Sequence, residues 1–199
     1  MHITILGGAF DPPHWGHLSA ARQTLDFCPV DAVWLMPTYI YNPSFQPKEG
    51  RPLNSFSHRL AMTKFLERPK IKVSDFESSI SGPSYTYKVL KALKKKYTNI
   101  EFSFLIGSDQ LAHFTKWYEY QKLLKICKIY VFPRNLNKLE IPFTEMEEVC
   151  SPLLKVSDLS KVSDLSSTAI RQKIENGENI ENLLPPGVEK YIKKHSLFA

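Results

Sequence analysis

A chain of 199 residues, 43% hydrophobic and 23% charged, has the size and composition of one globular domain with a single sizeable core. Its formal net charge of +6 suits a polyanionic partner, although Lys91, Lys94, Lys95 and Lys96 hold part of it and read as a solvated helix end. Cys28, Cys127 and Cys150 are widely spaced and form no Cys-x-x-Cys pair, which argues against a zinc site or a disulfide framework. With no signal peptide and no apolar run near the ~20 residues of a membrane span, the expected location is the cytoplasm.

The chain opens on a β-branched apolar run at 3–6 that ends in Gly7-Gly8, the pattern of a buried parallel strand entering a loop. Helical spacing follows at 18–27 and a second buried strand at 32–36, stopped by Pro37. Together these form a βαβ unit, whose crossover is right-handed as a rule. The alternation continues: helix 57–66, strand 71–73, helix 86–97, strand 102–106, helix 118–126, strand 129–132, a last strand at 153–156, and closing helices at 168–175 and 188–194. Residues 39–54, with three prolines and little periodicity, read as a long loop, and 135–152 is a polar, proline-punctuated excursion. Strands alternating with helices predict an α/β, Rossmann-like doubly wound sheet, mainly parallel, with helices on both faces. A small helical part at 165–199 completes the single domain 1–199. Ligands of such sheets bind beyond the strands' carboxyl ends, at the switch point. The hexapeptide Lys-Val-Ser-Asp-Leu-Ser at 155–160 recurs at 161–166, a tandem too short for a solenoid.

Two strings carry the chemistry. The first is Gly7-Gly8-Ala9-Phe10-Asp11-Pro12-Pro13-His14-Trp15-Gly16-His17. Glycines after a strand let the backbone approach a ligand, and the helix beginning near Gly16 turns its N-terminus, an anion-binding end, to the same place. His14 and His17 stand three apart, so both can face one ligand. The bland alternatives are a plain turn, a helix cap with a surface histidine, or a metal pair, for which only Asp11 is near. The string is neither Gly-x-Gly-x-x-Gly nor a phosphate loop ending in Gly-Lys-Ser/Thr. The second string, about 150 residues on, is Ser166-Ser167-Thr168-Ala169-Ile170-Arg171. Its hydroxyls suit a helix cap, and its arginine is either a surface residue or a planar phosphate clamp.

The first string resembles the (H/T)-x-G-H signature of the adenylyltransferase superfamily, in the form found in bacterial nicotinate-nucleotide adenylyltransferases. The second resembles the superfamily's Ser-Ser-Thr-x-x-Arg signature. Pro83-Ser84-Tyr85-Thr86, Ile106-Gly107-Ser108-Asp109 with Phe114 and Trp117-Tyr118, and Leu184-Pro185-Pro186 with Tyr191-Ile192 are similar to further segments of that family. The resemblance implies adenylyl transfer from ATP to nicotinate mononucleotide in NAD synthesis, with His14, His17 and Arg171 catalytic. It implies ATP contacts at Gly7, Gly8, Phe10, His14, His17, Gly107, Asp109, Ser167, Thr168 and Arg171. Contacts to the mononucleotide would come from Thr86, Asp109, Trp117 and Arg134. Asp109 suits a ribose acceptor or a helix cap, and Trp117 a stacking platform for a pyridinium or a core aromatic. Mg²⁺ is expected on the ATP phosphates, with no protein metal site. The partners are thus ATP and a pyridine mononucleotide, without nucleic acid or membrane, and a homo-oligomer is compatible with this.

One segment departs from the family. Where it reads Pro-Pro-His-Lys/Arg, this chain has Asn42-Pro43-Ser44-Phe45-Gln46-Pro47-Lys48 and lacks the histidine. Nicotinamide mononucleotide or phosphopantetheine as acceptor, and a catalytically inactive ATP sensor, therefore stay open at this stage.

Overall fold

The computed structural model describes residues 1–42, 53–132 and 165–198. Among these, five parallel strands form one sheet: β1 (His2–Gly8), β2 (Ala32–Pro37), β3 (Ile71–Val73), β4 (Glu101–Gly107) and β5 (Lys128–Phe132). Their order is β3-β2-β1-β4-β5. The chain starts at the centre, winds outward to β3, then crosses back to β4. The switch point therefore lies between β1 and β4, whose registered pairs run from His2 with Glu101 to Leu6 with Leu105. The protein has the doubly wound, Rossmann-like α/β architecture that the alternating pattern predicts.

Alternation along the strands sorts two cores. Ile3, Ile5, Phe102, Phe104 and Ile106 face one side, where α3 (Thr86–Lys96) brings Val89, Leu90 and Leu93 and α4 (Tyr120–Ile126) brings Leu123. Leu6, Leu105 and Val33 face the other. There they meet Leu18 and Ala21 of α1 (Trp15–Phe27), Met62 of α2 (Phe56–Lys64), Ile170 of α5 (Ser167–Glu175), and Val188 and Ile192 of α6 (Pro186–His195). Both faces are covered, which is why the strands read as continuous apolar runs. Polar pairs inside the sheet are satisfied: Thr4 and Ser103, registered neighbours, share a hydrogen bond of 2.7 Å.

Three expectations shift. Helix α1 begins at Trp15 rather than 18, because His14 caps it. Helix α4 begins at Tyr120 rather than 118, because Glu119 takes a left-handed conformation (φ 55°, ψ 37°) that no helix tolerates. The chain between β4 and α4 is 3₁₀ over Ser108–Lys116, and a shorter 3₁₀ turn covers Phe76–Ser79. The expected strand at 153–156, the excursion at 135–152 and most of the tandem hexapeptide lie outside the described residues. Among the described residues no helix is long and apolar enough to cross a membrane.

Candidate active site

At the carboxyl end of β1 the chain must turn sharply against its neighbour strand. A Cβ on Gly7 would lie 2.8 Å from the Phe104 ring, so only glycine fits there without displacing that core aromatic. Phe10 turns back through φ 50°, and its ring, wholly enclosed, rests 4.6 Å from the His17 ring. The resemblance places Phe10 among the ATP contacts; what its side chain holds is His17.

The helix that follows is capped by its own histidines. Nδ1 of His14 accepts the Gly16 N–H at 3.1 Å, and Nδ1 of His17 accepts the His14 N–H at 3.2 Å. This is a capping box built from imidazoles. A backbone N–H only donates, so each Nδ1 must present a lone pair. Each ring then carries its proton on Nε2. The two rings, 3.9 Å apart, are thereby set as Nε2–H donors by the backbone itself. His14 is buried and His17 half-buried. A Cβ on Gly16 would lie 2.8 Å from His14 Nδ1, which accounts for the glycine between them.

The second string docks on the first. Ser166 caps α5 by accepting the Ala169 N–H at 3.1 Å. Ser167 Oγ donates to the Pro12 carbonyl at 2.9 Å, across 155 residues. Arg171 donates from Nη1 to the Asp11 carbonyl at 2.6 Å and from Nη2 to Thr168 Oγ1 at 3.0 Å. Arg171 is buried, so the reading of a surface arginine beside a cap is set aside. Helix α5 thus brings its N-terminus, with its partial positive charge, against the turn that holds His14 and His17.

A buried polar network lies under the same turn, and sequence reading missed most of it. Asp11, fully buried, accepts Asn54 Nδ2 at 2.9 Å on Oδ1 and the Asn54 N–H at 3.1 Å on Oδ2. Arg59 on α2 donates to three main-chain carbonyls, those of Asn54, Ala9 and Thr38. Glu77 accepts the Tyr39 N–H at 2.9 Å. Burial pushes the Glu77 carboxyl up to about 7, against the pull of Ser84, the Tyr39 N–H and Arg59. Burial likewise raises the Tyr41 phenol to about 12. A cavity of about 300 Å³ adjoins the network, lined by Tyr39, Tyr41, Leu53, Asn54, Phe56 and Arg59. The signal for Arg59 was present: it shares a buried helical stripe with Met62 and Thr63, where a charge is out of place.

On the other side of the switch point, Gly107 ends β4 and Asp109 stands exposed in the first turn of the 3₁₀ segment. Asp109 is not that segment's cap, which is Gly107; its carboxylate accepts Gln110 Nε2 at 3.1 Å. Thr86 opens α3. Trp117 is half-buried, edge-on to Phe104 at 6.1 Å and 5.2 Å from Phe114, so core packing and a ligand platform are both open to its ring. Beside it Tyr85 and Tyr118 stack at 4.5 Å, with Lys88 Nζ 5.1 and 5.4 Å from their ring centres. Arg134 and the segment 43–48 lie outside the described residues. The structure therefore unites Gly7, Gly8, Phe10, His14, His17, Ser167, Thr168 and Arg171 in one assembly. Gly107 and Asp109 end the adjacent strand, and Thr86 and Trp117 belong to the α3–α4 side.

Comparison with known proteins agrees with this geometry. Residues 5–173 match the family described as Cytidylyltransferase-like. A probable nicotinate-nucleotide adenylyltransferase of Flavobacterium johnsoniae is 36% identical, with 100% of this chain and 99% of that protein aligned. The nicotinate-nucleotide adenylyltransferase of Bacillus subtilis is 33% identical, over 98% and 97% of the two chains. In fold, the chain superposes on the Plasmodium falciparum nicotinic acid mononucleotide adenylyltransferase complexed with NaAD. The TM-score is 0.83 at 24% identity, over 99% of this chain and 97% of that one. With its two signatures docked against each other at the switch point, this chain belongs to the cytidylyltransferase-like family of nucleotidyltransferases and, within it, to the nicotinate-nucleotide adenylyltransferases.

Proposed function

We propose that this enzyme transfers the adenylyl group of ATP to nicotinate mononucleotide, giving deamido-NAD and pyrophosphate, as one catalytic domain working in the cytoplasm. The observation that carries the reading is the pair of imidazoles whose Nδ1 atoms are engaged by backbone N–H groups, beside a helix N-terminus and Arg171. Donors fixed in advance suit negative charge that grows during phosphoryl-type transfer.

In this mechanism a 5′-phosphate oxygen of the mononucleotide attacks the α-phosphorus of ATP in line. The new P–O bond forms as the bond to the β-phosphate oxygen breaks, and its electron pair leaves with pyrophosphate. The attacking phosphate is already anionic, so no general base is required, and positioning and charge stabilisation supply the catalysis. His14 and His17 donate from Nε2 to phosphate oxygens, with Phe10 behind His17. Arg171, Ser167 and Thr168 hold the β and γ end at the start of α5, and Gly7 and Gly8 let the backbone come close. Gly107 and Asp109 receive the nucleotide from β4, with Asp109 as a ribose acceptor. Thr86 and Trp117, and Arg134 by its place after β5, take the mononucleotide.

The donor set at the turn consists of N–H groups, and Asp11 is fully buried, with one hydrogen bond from Asn54 on each oxygen. These residues fit a magnesium ion carried by the triphosphate rather than one ligated by the chain. Such an ion, when bound, offsets phosphate charge.

The test is an assay of purified protein with ATP and either nicotinate or nicotinamide mononucleotide, following dinucleotide by chromatography and pyrophosphate by a coupled enzyme. Deamido-NAD with equimolar pyrophosphate is expected, with the amide the poorer acceptor. ATP binding without release of pyrophosphate would sink the reading.

A further inference from the structure

Arg59 is among the most enclosed charged residues of those described, at 3% exposure, and the chemistry above does not use it. An apolar side chain at this place on α2 would avoid the desolvation that a permanent charge incurs. What the guanidinium does instead is join three carbonyls from separate stretches. Nε donates to Asn54 at 2.9 Å, Nη1 to Ala9 at 2.9 Å and Nη2 to Thr38 at 2.7 Å. Ala9 lies inside the histidine turn. Thr38 and Asn54 stand at the two ends of the segment that follows β2, and Asn54 is also the residue that Asp11 grips. A rigid, planar fork can meet three fixed acceptors, whereas a lysine ammonium is a single point charge.

We propose that Arg59 is a positioning residue for adenylyl transfer, acting on His17 through the main chain of Ala9 and Phe10. The path is short. Holding the Ala9 carbonyl fixes the peptide that leads into Phe10, which is left-handed at φ 50°. The enclosed Phe10 ring is the surface on which the His17 imidazole rests, at 4.6 Å. A shifted Ala9 carbonyl therefore tilts the His17 ring, and with it the direction of its Nε2–H. A displacement of ~1 Å at such a group costs on the order of 10²-fold in rate. Because the same fork holds Thr38 and Asn54, one side chain sets those two residues relative to the turn. The inference rests on the adenylyl-transfer reading.

The experiment is Arg59→Lys, made alone and together with His17→Ala, with dinucleotide formation as the assay. Activity of the unaltered enzyme first tests the reading itself. In that background Arg59→Lys is expected to lower kcat by about 10- to 100-fold. In the His17→Ala background the same change is expected to cost less than about threefold, because the group being positioned is gone. Equal losses in both backgrounds overturn the proposal and leave Arg59 as a staple of the fold. The ¹⁵N resonances of the His17 ring give a readout without turnover. Arg59→Lys should move Nδ1 away from its hydrogen-bonded position, and unchanged ring resonances likewise overturn it. If the lysine variant does not fold, Arg59→Gln, a smaller neutral donor, is read by the same two measurements.

Discussion

Arg171 donates from Nη1 to the main-chain carbonyl of Asp11 at 2.6 Å, joining residues 160 positions apart. With the Ser167 bond to Pro12, this contact makes one site out of two strings that neither touch nor resemble each other in sequence. Arg171 stands in the candidate site and also joins its two strings, so its removal should be felt twice.

Arg171→Lys keeps the charge but loses the planar fork that reaches both the Asp11 carbonyl and Thr168 Oγ1. Losing a charged hydrogen bond in a buried setting costs about 1.5–3 kcal/mol. In a protein of this size that lowers the melting temperature by roughly 3–12 °C. The Michaelis constant for ATP should rise by about tenfold or more, since an anchored guanidinium at the start of α5 is the proposed hold on the β and γ phosphates. Calorimetry and steady-state kinetics on the same preparation check both. Normal ATP kinetics in a destabilised variant would reduce Arg171 to a scaffold residue.

His17→Ala removes a donor already set by the cap on His14. Loss of one such donor typically costs ~10²–10³ in turnover. Ground-state binding gains less from it, so kcat should fall by that factor while the Michaelis constant for ATP changes by less than about fivefold. Near-normal turnover would remove His17 from the transition state. His17→Asn, which keeps an acceptor for the His14 N–H and a donor on the same side chain, should recover part of the loss.

The sheet and both signatures were legible because their signals are local. Strand β1 reads as buried from its apolar run, and His14 and His17 declare themselves by a spacing of three at a helix start. Helices α3, α5 and α6 fall within two residues of their expected starts. Arg59 and Glu77 escaped because what makes them tolerable is remote. The acceptor on Ala9 lies 50 residues from Arg59, and the Tyr39 N–H lies 38 from Glu77. A charge satisfied across such distances leaves only a misplaced hydrophilic residue in an apolar stripe. The start of α4 was misjudged for another reason: the left-handed turn there falls on Glu119, a residue type that carries no signal for that conformation.

Glu77 offers a prediction in pH. Burial lifts its carboxyl to about 7 in the folded protein from an ordinary 4.5, so between these values the folded state binds the proton more tightly than the unfolded state. This contribution to stability is present below pH 4.5 and lost as pH rises through 7. The full span corresponds to at most about 3 kcal/mol. Glu77→Gln keeps an acceptor for the Tyr39 N–H and removes the titration. Urea unfolding should show the variant gaining on the parent protein between pH 5 and pH 8. A difference that stays constant over that range would mean the carboxyl titrates at its ordinary value.

Trp117 divides two readings of the acceptor side. Its ring lies edge-on to Phe104 at 6.1 Å and 5.2 Å from Phe114, which is core packing, yet it remains half-buried rather than enclosed. A pyridinium stacked on its exposed face would gain cation–π attraction on the order of 0.5–2 kcal/mol, worth roughly 2- to 30-fold in affinity. Trp117→Ala should therefore raise the Michaelis constant for the mononucleotide by that factor or somewhat more, leaving the constant for ATP nearly unchanged. Packing loss alone would lower the melting temperature and the amount of active enzyme without separating the two substrates. Trp117→Phe sharpens the comparison, because it restores apolar bulk and a weaker π face. If stacking holds the mononucleotide, its constant should fall between those of the parent and the alanine variant; if packing is the whole role, phenylalanine should restore stability while the two Michaelis constants never diverge.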